Sequence, residues 1–110
     1  MRSAFRVTAV VGLLCGLVSA VAHAQRPVEE QGRALAEEHC SRCHAIGLEN
    51  QSQLPSAPPL RELPKRYPVE NLAEAFAEGI VTAHPAMPQF TFEPPQIAAL
   101  LSYIDSLEKK

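Results

Sequence analysis

Apolar residues recur at helical spacing in three stretches of the chain, and proline-rich segments without a repeat separate these stretches. The first stretch, residues 28–40, is rich in Glu, Ala, Gln, Arg and Leu, which are good helix formers. One face of this predicted helix carries Val28, Gly32, Leu35 and Ala36. Glycine is unfavourable inside a helix, so Gly32 suggests the close approach of another helix, although a mild defect near a frayed end explains it as well.

The second stretch is predicted to begin at Pro68, a residue suited to the first helical position, and to end at Gly79. Its apolar face consists of Val69, Leu72, Ala73, Phe76 and Ile80. The third helix is expected to start near Pro94 or Pro95 and to bury Ile97, Leu100, Leu101, Ile104 and Leu107. A short helical turn is expected over 61–66, and we find no strand pattern. The sequence therefore predicts an all-α fold with long loops.

The first 24 residues differ from the rest. Arg2 and Arg6 precede a mostly apolar run, and Ala22-His23-Ala24 follows it as a small-x-small cleavage site. This pattern predicts a secretory signal peptide over 1–24, one domain over 25–110, and a location in the periplasm. An uncleaved membrane anchor is the alternative, but the run is shorter than the roughly 20 residues that a spanning helix needs. We therefore expect no membrane span after cleavage.

Acidic residues outnumber basic ones in the predicted mature chain. It has all 12 acidic residues but 8 basic ones, since Arg2 and Arg6 belong to the N-terminal segment, and its formal charge is −4. An acidic domain of this kind is not expected to bind nucleic acid, which requires a basic surface. The acidic excess favours partner proteins with a basic docking face and an association that salt weakens. A domain this small buries little apolar surface by itself, so a large apolar cofactor would complete its core.

Two cysteines three positions apart are followed at once by a histidine, in Cys40-Ser41-Arg42-Cys43-His44. The C-x-x-C-H pattern is the c-type haem attachment signature. In a helical segment both thiols lie on one face and can form thioethers with the two vinyl groups of a haem, while His44 ligates the iron. A zinc site, a redox-active dithiol and a disulfide are alternatives. Zinc needs four ligands, a thioredoxin-like dithiol needs a βαβ context, and a disulfide leaves His44 without a role.

The second axial position of the iron has several candidate ligands, namely Met87, His84 and His39, or it has none. Met87 is the only methionine of the predicted mature chain and lies between Pro85 and Pro88 in a loop far from the cysteines. A thioether opposite an imidazole raises the reduction potential and suits electron transfer. Isolated methionines more often fill gaps in a core. His39 is predicted to be a surface residue, because it adjoins Cys40 and cannot easily reach the opposite side of the haem.

Together these residues resemble a small class I, monohaem cytochrome c of the bacterial periplasm, over nearly the whole mature chain. The motifs that carry the resemblance are Cys40-x-x-Cys43-His44, Gly32, Leu100-x-x-Tyr103-Ile104, Pro58-Pro59-Leu60 and Met87-Pro88-Gln89-Phe90. It implies that the N- and C-terminal helices cross at Gly32 and that helices and loops surround one covalent haem c. It also implies that the Pro58 carbonyl accepts a hydrogen bond from His44. The chain departs from the family at Ala36, where an aromatic residue is common, and in the short stretch between His44 and Met87.

The resemblance implies a one-electron carrier that is not itself an enzyme, with His44 and Met87 as the iron ligands and with redox proteins as partners. Two alternatives share the same attachment motif. The chain could be the cytochrome subunit of an exported dehydrogenase, or a haem sensor or gas-binding protein with a displaceable distal ligand. Arg61, Arg66 and Tyr67 are candidates for contacts with the haem propionates, although each could equally be an ordinary surface residue.

Overall fold

The regular structure of the chain is helical. The computed structural model describes residues 26–79 and 85–110, and no strand occurs within these ranges. The elements are α1 (Val28–His39), a 3-10 turn (Leu60–Glu62), α2 (Leu63–Arg66), α3 (Asn71–Glu78) and α4 (Pro94–Glu108). The predicted all-α fold is confirmed. The predicted signal peptide, Ile80 and His84 lie outside the described residues. Within the described ranges, none of the helices has the length and apolar character needed to span a membrane.

Helices α1 and α4 cross in direct contact at Gly32. A Cβ atom added to Gly32 would lie 1.9 Å from the carbonyl oxygen of Ala99 and 2.8 Å from the Cβ of Tyr103. No real side chain can approach a backbone that closely, so glycine is required here. The interpretation of Gly32 as a point of close helix approach is confirmed, and the crossing of the first and last helices is the one that the resemblance implied. Ala36, one turn further along α1, is fully buried and belongs to the hydrophobic core.

The core forms around α4, which contacts α1, α2, α3 and the 3-10 turn. Leu100 and Ile104 are the largest fully buried side chains. The predicted buried face of α4 is confirmed for Ile97, Leu100, Ile104 and Leu107, and Leu101 packs against the same core half-buried. Because several elements cover α4, its buried surface is broader than one stripe and also includes Ala99, Tyr103 and Ser106.

The helix predictions need two corrections, one to a boundary and one to a buried face. The α-helix predicted from Pro68 begins at Asn71, because residues 68–70 form a tighter turn in which the N–H of Asn71 donates to the Pro68 carbonyl at 3.0 Å. Val28, predicted on the apolar face of α1, is 48% exposed, since it is the first residue of the helix. Gly79 ends α3 as predicted, with a φ of 85° that favours glycine. Pro94 begins α4, also as predicted.

Candidate functional site

The Cys40–His44 segment continues the chain of α1 as a tight turn. The N–H groups of Cys40 and Ser41 both donate to the Ala36 carbonyl, at 2.9 and 3.0 Å. Further along, the N–H of Cys43 and that of His44 donate to the Cys40 carbonyl, at 3.1 and 2.9 Å. The two thiols are not bonded to each other. This turn brings both cysteines and His44 to the wall of one cavity.

The imidazole of His44 is held by a single backbone group. Its Nδ1 lies 2.6 Å from the carbonyl oxygen of Pro58, the contact that the resemblance implied. A carbonyl can only accept, so Nδ1 carries the proton and donates it. In the neutral imidazole this tautomer leaves the lone pair of Nε2 available for a metal. The pairing fixes the tautomer and orientation that an iron ligand needs.

The cavity beside this turn has a volume of about 430 Å³ and an interior that is mostly apolar. That volume lies within the range of about 300–1,000 Å³ found for cofactor and ligand sites. Residues of the 38–44 and 54–58 segments form one wall, and residues of the 85–90 segment form the other. We call these the His44 wall and the Met87 wall. Met87 is half-buried and packs against the core, so the structure brings together the five residues predicted for the site: Cys40, Cys43, His44, Pro58 and Met87.

The chemistry of the donor set fits a covalently attached haem. Two thiols, an imidazole nitrogen and a thioether border one apolar space, and burial raises the pKa of the Cys40 thiol to about 11. In the described parts of the chain, no three His, Cys, Asp or Glu side chains come together as a metal site. These residues therefore do not form the alternative zinc centre, which would need four protein ligands.

His39 is more buried than the sequence suggested. Its side chain is 29% exposed and borders the cavity. The ring meets Phe90 and Phe92 edge to face, with centroid distances of 5.5 and 5.3 Å. The prediction of a surface residue was wrong, because the loop after Met87 folds back onto the end of α1. The alternation Phe90-x-Phe92 was the available signal, since alternate residues of an extended segment lie on the same face.

The three candidates for propionate contacts do not border the cavity. Arg61 donates to the carbonyls of Gly47 and Asn50, at 3.2 and 2.8 Å, and so fastens the loop that follows His44. Arg66 pairs with Glu62 on the surface. Tyr67 is 52% exposed.

Arg42, in the attachment motif itself, borders the cavity but was not among the sequence candidates. A second depression, of about 600 Å³, lies between the start of α1, the 46–49 segment and the end of α4. Its walls carry charged side chains, and none of the predicted site residues lines it. The cavity beside His44 is therefore the candidate site.

One comparison with known proteins gives a match. The family model described as Cytochrome c matches residues 29–108. The match covers almost all of the described residues, including both cysteines, His44, Pro58 and Met87. No curated protein and no solved structure gives a match.

Proposed function

Since the chain belongs to the cytochrome c family, whose members bind haem c covalently and transfer electrons, we propose that it is a periplasmic one-electron carrier with His44 and Met87 as iron ligands. The family accounts for the cofactor and for haem-based electron transfer. The identity of the distal ligand, the compartment and the role of a carrier are parts of the proposal.

One observation carries the proposal: the cysteines, His44 and Met87 border the same cavity. Cys40 and Cys43 would hold the haem as thioethers, and Nε2 of His44 would bind its iron. Pro58 keeps the imidazole oriented through Nδ1. Met87 supplies a soft thioether as the distal ligand, which favours a raised reduction potential.

The bound haem supplies one-electron chemistry between the ferrous and ferric states of its iron. With a haem bound, His44 and Met87 would both ligate its iron and would leave no position for a substrate. The apolar lining of the cavity keeps water away and leaves the protein to set the potential. These features fit a carrier better than an enzyme.

Optical spectra test the distal ligand. The ferric wild type, matured with haem in a periplasm, should show the weak far-red band of sulfur bound to iron. Met87→Ala should lack this band and keep its covalent haem. Ala86→Ser, at the exposed neighbouring position, should retain the band and serves as the control. A wild-type spectrum without the band would exclude Met87 as the ligand.

Two further measurements address the alternatives and the compartment. Rapid binding of carbon monoxide by the reduced protein would support the gas-binding alternative, because a filled distal position resists it. Co-purification with a large catalytic subunit would support the dehydrogenase subunit. Mass spectrometry of the exported protein should give a chain that begins at Gln25 and carries one haem, as cleavage after Ala24 requires.

A further inference from the structure

Asp, Glu, Lys and Arg make up 20% of the chain, but four stretches of eleven residues or more contain none of them: 7–25, 50–60, 79–92 and 94–104. Two of these stretches, residues 50–60 and 79–92, contribute residues to the cavity. The first belongs to the His44 wall of the cavity, and the second contains the Met87 wall. Among the described residues that border the cavity, charged side chains therefore come from the 38–44 segment alone.

Five of the seven exposed residues that border the cavity are also uncharged. We define the rim by these five, Leu54, Ser56, Pro85, Ala86 and Pro88. Among the described residues that border the cavity, Glu38 and Arg42 have charged side chains. Both are exposed and their signs are opposite, so the formal charges of the protein side chains at the mouth cancel, before the haem propionates are counted.

The acidic surplus of the protein lies elsewhere. Most of the acidic side chains belong to α1, α3 and α4 or their ends, namely Glu29, Glu30, Glu37, Glu38, Glu70, Glu74, Glu78, Glu93, Asp105 and Glu108. Of these ten residues, Glu38 alone borders the cavity. A partner with a basic face would be attracted to those surfaces and not to the rim. Charge complementarity at the rim therefore selects a partner face without net charge.

We propose that this rim docks a redox partner protein whose own docking face is apolar and uncharged. Recognition then depends on the removal of apolar surface from water, and complex formation depends little on ionic strength. This inference rests on the proposed function, since a carrier must bring its haem close to its partner. It replaces the basic docking face that the net charge alone had suggested. A rim of five residues suits a transient encounter, because redox complexes are among the smallest protein interfaces.

Electron transfer to proteins of known surface charge tests the proposal. The probes are a blue-copper protein with an apolar, uncharged docking face and one with a basic face. Second-order rate constants are measured at about pH 8, where histidines are mostly neutral. Salt is varied from about 0.01 to 1 M, which shortens the Debye length from about 30 to 3 Å. With the uncharged probe the rate constant should change less than about twofold, against the 10- to 1,000-fold range of electrostatic steering.

Charged substitutions at the rim provide the matched comparison. Ser56→Glu should raise the low-salt rate constant with the basic probe, and Ser56→Lys should lower it, each by at least about threefold. The same pair at Ala98, which is exposed on α4 and does not border the cavity, should have smaller effects. Equal effects at Ser56 and Ala98 would overturn the proposal, because docking would then respond to the net charge and not to the rim.

The outcomes separate this inference from the proposed function. A spectrum without the sulfur-to-iron band contradicts the carrier with Met87 ligation, whatever the salt dependence. A normal spectrum, together with a wild-type rate constant for the uncharged probe that changes tenfold or more with salt, overturns the docking proposal alone.

Sedimentation analysis of the oligomeric state completes the test. A dimer that Ser56→Glu dissociates would mean that a second copy of the chain covers the rim, and this would also overturn the proposal.

Discussion

The two walls of the cavity are held in place by different interactions. Hydrogen bonds fix the His44 wall on several sides. The N–H of Leu54 donates to the Cys43 carbonyl at 3.1 Å, and the N–H of Leu60 donates to the Ala45 carbonyl at 2.9 Å. The Tyr103 hydroxyl donates to the Ile46 carbonyl at 2.6 Å, which connects this wall to α4. These directional contacts leave His44 little freedom to move.

Ring packing holds the Met87 wall. Phe92 meets Phe76 of α3 at a centroid distance of 5.7 Å and stacks with Phe90 at 5.8 Å, and both rings of the loop contact His39. Among the described residues of 85–92, the backbone makes one hydrogen bond to another element, from the N–H of Phe92 to the Phe76 carbonyl at 3.3 Å. Packing of this kind depends mainly on buried apolar area and restrains direction less than a hydrogen bond does.

The difference suggests a division of roles. The imidazole of His44 has a fixed orientation, whereas the described residues 85–92, which include the proposed thioether ligand, make a single backbone hydrogen bond to another element. We therefore expect the Met87 wall to loosen before the rest of the domain unfolds, as regions with few hydrogen bonds generally do. Four predictions test this comparison, from the largest expected effect to the smallest.

Gly32→Leu should remove the support that both walls share. Its Cβ alone would occupy the space of the Ala99 carbonyl, so α1 and α4 must separate. We expect a loss of about 3 kcal/mol or more in the free energy of unfolding, at the upper end of overpacking effects. Denaturant unfolding of the haem-loaded protein measures it. Ala34→Leu, at an exposed position of the same helix, should change stability by less than about 0.5 kcal/mol. Similar values for the two variants would contradict a tight crossing.

Phe92→Ala and Leu60→Ala compare the walls directly. Phe92 is 7% exposed and supports the Met87 wall, while Leu60 is 4% exposed and belongs to the His44 side. Each substitution should cost about 3 kcal/mol through lost burial and a cavity. Only Phe92→Ala should also make the sulfur-to-iron band disappear at a lower denaturant concentration than the helical signal. If Leu60→Ala separates the two transitions equally well, the walls do not differ in the way described.

The sequence predicted the His44 wall better than the Met87 wall. Cys40, Cys43 and His44 are contiguous, so local spacing alone brings them together, and the resemblance added Pro58. Helix spacing likewise located α1 and α4, and the resemblance added their crossing at Gly32. By contrast, the position of His39 against two phenylalanines depends on a contact between distant parts of the chain. Periodicity does not report such a contact, because it describes one element at a time.

The start of α3 and the role of Arg61 were missed for a related reason. Pro68 is suited to a first helical position, but it suits a tight turn equally well. Arg61 looked like a candidate for an acidic group of the haem, yet backbone carbonyls of the 47–50 loop accept its hydrogen bonds. A side chain with several donors can be satisfied by many partners, and the sequence does not say which of them is near.

Tyr103→Phe should weaken the His44 wall without affecting Met87. The substitution removes the donor to the Ile46 carbonyl and should lower the free energy of unfolding by about 1–2 kcal/mol, the usual cost of a lost buried hydrogen bond. The sulfur-to-iron band and the helical signal should still disappear together. Tyr67→Phe is the control, because Tyr67 is 52% exposed and its change should stay below about 0.5 kcal/mol. A Tyr103→Phe variant as stable as wild type would show that the hydrogen bond from Tyr103 to Ile46 does not stabilise the His44 wall.

The contribution of Tyr103 should also depend on pH, and this is the smallest expected effect. Burial raises the pKa of its hydroxyl above the usual value; the Arg33 guanidinium opposes this and the Glu37 carboxylate adds to it. In the unfolded chain tyrosine titrates near pH 10. A group whose pKa is higher in the folded state stabilises the protein fully below its unfolded pKa, and this stabilisation declines as pH rises through the folded pKa. The difference in unfolding free energy between wild type and Tyr103→Phe should therefore be constant from about pH 7 to 9 and decrease above about pH 10.

Taking the difference between the two proteins cancels the titration of the other groups, which both proteins share. A difference that increases above pH 10 would mean that the ionised form of Tyr103 is favoured in the folded protein, contrary to its burial beside Ile46.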